Sequence, residues 1–147
     1  MNPWRHVLVA TDFGEASSNA IELGIALALR FEAELTLMHV CELSGYPYAE
    51  PILTPANLAA IQEAAATRLA VALEEVKRRI PRATSRLQLG RPADEILAAV
   101  AALKPDLVVM GTHGRRGVSH LLFGSVADKV VRHSPIPVLT TRGTREP

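Results

Sequence analysis

The residues best suited to chemistry lie in one segment, Gly111-Thr112-His113-Gly114-Arg115-Arg116-Gly117-Val118-Ser119-His120-Leu121-Leu122-Phe123-Gly124-Ser125. Its skeleton is glycine, two residues, glycine, nine residues, glycine, then serine. Phosphate oxygens need several backbone N–H donors within hydrogen-bonding distance, and glycine permits both the close approach and positive φ. Gly124-Ser125 stands where a helix should open, and the unpaired N–H groups and positive dipole end of a helix start suit a bound anion. Arg115 and Arg116 could add charge from the loop. With glycine near 7% of residues, three at fixed spacing arise at roughly one start position in three thousand, or in about one chain of this length in twenty. Placement between an apolar strand and a helix makes chance a poorer explanation still.

Two other phosphate-binding patterns are missing. No G-x4-G-K-[S/T] occurs, so no P-loop lysine braces a β- or γ-phosphate, and the first strand leads into Asp12-Phe13-Gly14-Glu15 rather than G-x-G-x-x-G. Asp12 has two readings: it satisfies N–H groups at the start of the first helix, or it contacts a ligand. Ser125, with Asp128 three residues on, has the form of a capping box, and a cap and a phosphate contact can coexist at one helix start. His113 in its polar loop is either solvated or a ligand contact and is a poor candidate for a general base. Arg115 and Arg116 are either exposed or phosphate-bound. His39, on an apolar strand, reads as a satisfied core residue. His6, His120 and His133 lack partners at metal-ligand spacing, so no protein-built metal site is expected. Cys41 is expected to be inert. No residue is assigned a catalytic role.

These residues must be positioned by an alternation of short β-rich runs (6–11, 35–40, 84–89, 107–111 and 136–140) with helical segments (roughly 16–31, 55–80, 92–103 and 122–133). Such alternation implies right-handed crossovers and a mainly parallel sheet covered on both faces. The third helix opens with Pro92, carries Asp94 and Glu95 near its positive end, and stops at Lys104-Pro105. Ile96, Val100 and Leu103 give it one apolar face; Leu58, Ile61, Ala65, Leu69, Ala72 and Val76 do the same for the second. Residues 42–54, with Gly45, Pro47 and Pro51, read as a mobile loop.

Composition also orders the strands. Val7-Leu8-Val9-Ala10 and Leu107-Val108-Val109-Met110 are continuously apolar, as strands buried on both faces should be. From Arg86 to Leu89 polar and apolar residues alternate, and Pro137 cannot donate to a central ladder, so the third and fifth strands are edges. The simplest arrangement is a five-stranded α/β sheet in the order 3-2-1-4-5, formed by one domain spanning 1–147. Its winding reverses between strands one and four, leaving a crevice at their carboxyl ends that faces Asp12 and the glycine loop.

The 147 residues include 16 basic and 15 acidic side chains, a formal charge of +1, without the basic stripe of a nucleic-acid binder. Hydrophobic residues make up 48%, an ordinary globular proportion. A single cysteine precludes an intrachain disulfide. No long apolar core precedes Asp12, and the apolar stretches are too short to cross a bilayer, so a cytoplasmic protein without membrane contact is expected.

The glycine skeleton, Asp12 after the first strand, and the ending Ser134-Pro135-Ile136-Pro137-Val138-Leu139 resemble the universal stress protein family over essentially the whole chain. The resemblance implies a five-stranded parallel fold, dimerisation, and membership of the subset whose G-x2-G-x9-G-[S/T] pattern binds ATP. It assigns Asp12 to the ribose or a phosphate-bound metal, with Thr11 beside it, and backbone groups of Val40 to adenine. Met110 and Gly111 fall near the sugar; His113, Gly114, Gly124, Ser125 and Val126 cradle the phosphates, with Arg115 nearby. Mg2+ or Mn2+ would be held through those phosphates. Ala10 stands where many members have proline, Phe13-Gly14 where glycine-serine is common, and Ala127 where a hydroxyl residue often follows. Three functions fit: an ATP-binding regulatory protein with an unknown protein partner and at most slow hydrolysis, a true ATPase or nucleotide-dependent transferase, and a dimeric module that binds nothing in the loop. The apolar edge of the fifth strand is the expected homodimer contact.

Overall fold

A computed structural model of the chain describes residues 4–42, 54–112 and 124–143. Strands β1 (His6–Ala10), β2 (Glu34–Glu42), β3 (Thr84–Gly90), β4 (Leu107–Gly111) and β5 (Val138–Thr141) alternate with helices α1 (Glu15–Phe31), α2 (Pro55–Lys77), α3 (Pro92–Leu103) and α4 (Ser125–His133). All strand pairs are parallel and the order is β3-β2-β1-β4-β5, as strand composition predicts.

Period-two alternation sends each interior strand into two cores. Val7, Val9, Leu35, Leu37, Leu107 and Val109 meet Ala20, Ile25 and Ala28 of α1 and Leu69 and Val76 of α2. Leu8, Ala10, Met38, Val108 and Met110 meet Ala93, Ile96, Ala99 and Val100 of α3 and Ala127 and Val130 of α4. A strand sandwiched this way has no polar face to offer, which is why β1 and β4 read as unbroken apolar runs.

Helix punctuation follows local chemistry. Pro92 opens α3 with Asp94 and Glu95 in its first turn. Lys104 closes it in the left-handed region (φ 49°), its N–H returning to the Val100 carbonyl. Glu32 closes α1 in the same conformation (φ 54°).

Most element ends shift by one to three residues from the sequence reading, and three departures matter most. β5 begins at Val138, not 136, because the rung at Pro137 has only a carbonyl to give, and that oxygen accepts from the Val108 N–H. Of the apolar stripe of α2, Ala65, Leu69 and Val76 are buried and Ala72 packs against the core, while Leu58 is half-buried and Ile61 is 41% exposed. At 1.5 Å per residue the 23 residues of α2 run about 35 Å, against roughly 23 Å for the seven of β3. The amino half of α2 therefore outruns the sheet. Third, α4 starts at Ser125.

Gly24 sets the distance between α1 and β1. A methyl group there would overlap Cγ2 of Val9, which is wholly buried and branched at Cβ. Alanine would normally favour a helix over glycine by about 1 kcal/mol. Here overpacking outweighs that gain, so Gly24→Ala should lower stability by about 1–3 kcal/mol, read from the urea midpoint. Adding Val9→Ala should recover part of the loss; a double variant as weak as the summed single variants would disprove the packing account.

Candidate functional site

In a parallel sheet with antiparallel helices, strand carboxyl ends and helix amino ends share one edge. At the middle of that edge β1 and β4 are hydrogen-bonded neighbours, Ala10 opposite Met110, and their chains depart to opposite faces. The switch in winding predicted from strand order is therefore present between β1 and β4, flanked by residues 11–14 on one side and Gly111-Thr112 on the other.

The β1 side is a closed hydrogen-bond system. The Thr11 N–H donates to the Met38 carbonyl at 2.8 Å, and its hydroxyl accepts from the Phe13 N–H at 3.0 Å. The Thr11 carbonyl lies 2.7 Å from Nδ1 of His39. A carbonyl only accepts, so Nδ1 carries the proton in this bond. His39 is thus a satisfied strand residue, as its setting suggests, though half-buried rather than deep in the core. Phe13 adopts φ 64°, unusual for a side chain of its size. Its ring packs on the His39 imidazole (centroids 4.3 Å apart), and the Arg68 guanidinium of α2 lies over it at 4.4 Å.

Asp12 is exposed and does not cap α1, whose N-cap is Gly14 with no side-chain hydrogen bond. Its Oδ1 accepts from the Gly14 N–H at 2.8 Å and from the Ser17 hydroxyl at 2.6 Å. The Ser17 oxygen in turn accepts from the Asp12 N–H at 3.0 Å.

On the β4 side, Met110 is buried in the lower core, so only its backbone faces the edge. Gly111 permits a backbone contact: a Cβ there would stand 2.6 Å from the carbonyl carbon of Ala16. The same corner is bolted from β5. Thr141 donates its hydroxyl to the Ala16 carbonyl at 2.8 Å, its own carbonyl accepts from the Thr112 N–H at 2.7 Å, and the Asn19 amide donates to the Arg142 carbonyl at 2.7 Å. Val40 lies on β2 two residues beyond Met38, the rung opposite Ala10, half-buried.

The amino end of α4 completes the edge. Gly124 is the N-cap with φ −66° and ψ 155°, and no side chain caps the helix. The first helical bond runs from the Asp128 N–H to the Gly124 carbonyl, leaving the N–H groups of Ser125, Val126 and Ala127 without intrahelical acceptors. The capping box expected of Ser125 and Asp128 is not formed. Ser125 stands one position too late, is exposed, and Asp128 pairs instead with Arg132 at 3.1 Å. Val126 is half-buried, and Ala127 is buried among the residues beneath α4. His113, Gly114 and Arg115, expected at the phosphates, lie outside the described residues, as do Arg116 and most of the 42–54 loop.

Ser17, Arg68 and Thr141 join this edge without having been singled out from sequence, as does Phe13, noted there only as a departure from the family pattern. A hydroxyl five residues after Asp12, at the first turn of α1, was the one available sign. Cys41 is buried, and burial pushes its thiol pKa up, away from reactive thiolate. Among the described residues no group of three or more His, Cys, Asp or Glu could hold a metal ion, and no helix is long and apolar enough to cross a membrane.

Residues 3–142 match the universal stress protein family. A universal stress protein of Thermus aquaticus is 35% identical over 140 residues, covering 95% of this chain and 99% of its own length. The universal stress protein UspA of Lactobacillus plantarum superposes with a TM-score of 0.72 at 26% identity, over 95% of this chain and 98% of that one. A universal stress protein solved in complex with cAMP superposes with a TM-score of 0.67 at 25% identity, over 96% and 98%. The matched residues take in all five strands and both sides of the β1–β4 junction, and the chain belongs to the universal stress protein family.

Proposed function

We propose that this chain binds ATP in the crevice between β1 and β4 and acts as a nucleotide-dependent regulatory protein, with hydrolysis at most slow. The observation that carries the reading is Gly124. Its φ of −66° suits any L residue, and serine or aspartate there would supply the side-chain cap that α4 lacks. Glycine's conformational freedom is unused; what it contributes is an absent side chain beside three amides without intrahelical acceptors, which favours an anion there. The cAMP held by the similar protein supports an adenine nucleotide as the source of that anion.

On this reading Thr11 and Asp12 meet the ribose, Val40 offers its backbone to adenine, and the backbone of Met110 and Gly111 borders the sugar. His113, Gly114, Arg115, Gly124, Ser125 and Val126 surround the phosphates, as the G-x2-G-x9-G-[S/T] subset of the family implies. Mg2+ or Mn2+ would be held through those phosphates, where it would neutralise their charge. Hydrolysis needs a positioned base for water, and a carboxylate engaged with the sugar would not serve as one. The protein is read as one domain over 1–147, cytoplasmic, and coupled to an unidentified protein partner.

Melting with and without ATP-Mg tests the proposal. A hundredfold excess over the dissociation constant stabilises by about 2.7 kcal/mol, a rise of roughly 5–10 °C at this chain length. Gly124→Val should abolish the rise while leaving the unliganded melt largely intact. No shift with wild type would favour a module without nucleotide; rapid, saturable phosphate release would favour an enzyme. The same melts with AMP and cAMP rank the nucleotides.

We also propose a homodimer through β5. The carbonyls of Pro137 and Thr141 face β4, so alternation turns the backbone groups of Val138 and Thr140 to the outer side. Pairing across a two-fold axis would satisfy them. Sedimentation at micromolar protein should give the mass of two chains, and the mass of one would refute the pairing.

A further inference from the structure

We infer that Ser17 is a positioning residue that holds the Asp12 carboxylate ready for the sugar hydroxyls of a bound nucleotide; this rests on the nucleotide-binding reading above. Ser17 is 4% exposed, at the third helical position of α1, yet its one hydroxyl grips Asp12 twice. It donates to Oδ1 at 2.6 Å and accepts from the Asp12 N–H at 3.0 Å, fixing backbone and side chain of the same residue. The Gly14 N–H adds a second donor to Oδ1 at 2.8 Å.

Closing the turn into α1 occupies only Oδ1 of Asp12, and no ion pair to Asp12 exists among the described residues. One oxygen is pinned by two donors while Oδ2 has no partner among the described residues, on a residue exposed at the β1–β4 junction. A carboxylate oxygen only accepts when ionised, so its natural partner is a hydroxyl or N–H donor, and a ribose diol offers two. Immobilising the group beforehand removes the rotamer entropy that ligand binding would otherwise cost. The hydroxyl also shares the negative charge through a short charge-assisted bond without neutralising it.

The test compares ATP-Mg with 2′,3′-dideoxy-ATP-Mg by titration calorimetry on wild type, Ser17→Ala, Asp12→Ala and the double variant. A hydrogen bond to a charged group is worth enough that wild type should prefer ATP by roughly tenfold or more. Ser17→Ala should lose most of that preference through weaker ATP binding, with dideoxy-ATP affinity within about threefold of wild type. On the Asp12→Ala background, Ser17→Ala should change ATP affinity no further, since there is no carboxylate left to hold. Equal weakening of both ligands by Ser17→Ala, or an unchanged preference, would overturn the positioning role. A wild type that binds both ligands equally would also overturn it while leaving nucleotide binding intact. Binding of neither ligand to wild type would overturn both.

Discussion

The backbone of α1 meets the end of β4 with no side chain between them. Gly111 makes this possible, because any Cβ there would enter the carbonyl of Ala16. Around that contact the corner is over-determined: Thr141 bonds the same carbonyl, Thr112 bonds Thr141, and Asn19 reaches the chain just beyond β5. Three segments distant in sequence are thereby locked at one point, and Asp12, Gly14 and Ser17 take their positions from it. The strain at Phe13 belongs to the same arrangement. Its left-handed backbone costs of order 1 kcal/mol, and its contacts with His39 and Arg68 help to offset that.

The edge of the molecule at the β1–β4 junction combines side-chain hydrogen bonds with helix starts of differing capping. α1 and α4 both open at a glycine without a side-chain cap; α2 is capped by the Thr54 hydroxyl, and α3 opens at Arg91 without a side-chain cap. Unpaired amides at a helix start are tolerated where water or a ligand can reach them.

Strand order was legible because burial on both faces leaves a compositional trace: Val7 to Ala10 and Leu107 to Met110 admit no polar residue, while Arg86 and Gln88 mark a margin and Pro137 an edge. The bounds of α3 were legible because proline, acidic residues and a lysine–proline stop coincide there. Other features depend on geometry that spacing does not encode. Ser125 and Asp128 have the spacing of a capping box, but the helix starts one residue earlier than the box needs. Ile61 keeps helical period with Ala65 and Leu69, yet it is left exposed. Ser17 bonds Asp12 only because the chain turns a corner at Gly14, and Arg68 meets Phe13 only once α2 lies across the sheet.

The overhang of α2 has a dynamic consequence. Its carboxyl half is anchored by Leu69 and Val76, while from Thr54 to Ala64 Leu58 alone is more than exposed surface. Helix segments without tertiary packing are marginal in water, so opening becomes progressively easier toward Pro55. Amide hydrogens along this one helix therefore exchange with solvent in a gradient, fastest at the end that projects past the strand tips. The Gly111–Ala16 corner, held by backbone contact and hydrogen bonds, has no such loose end.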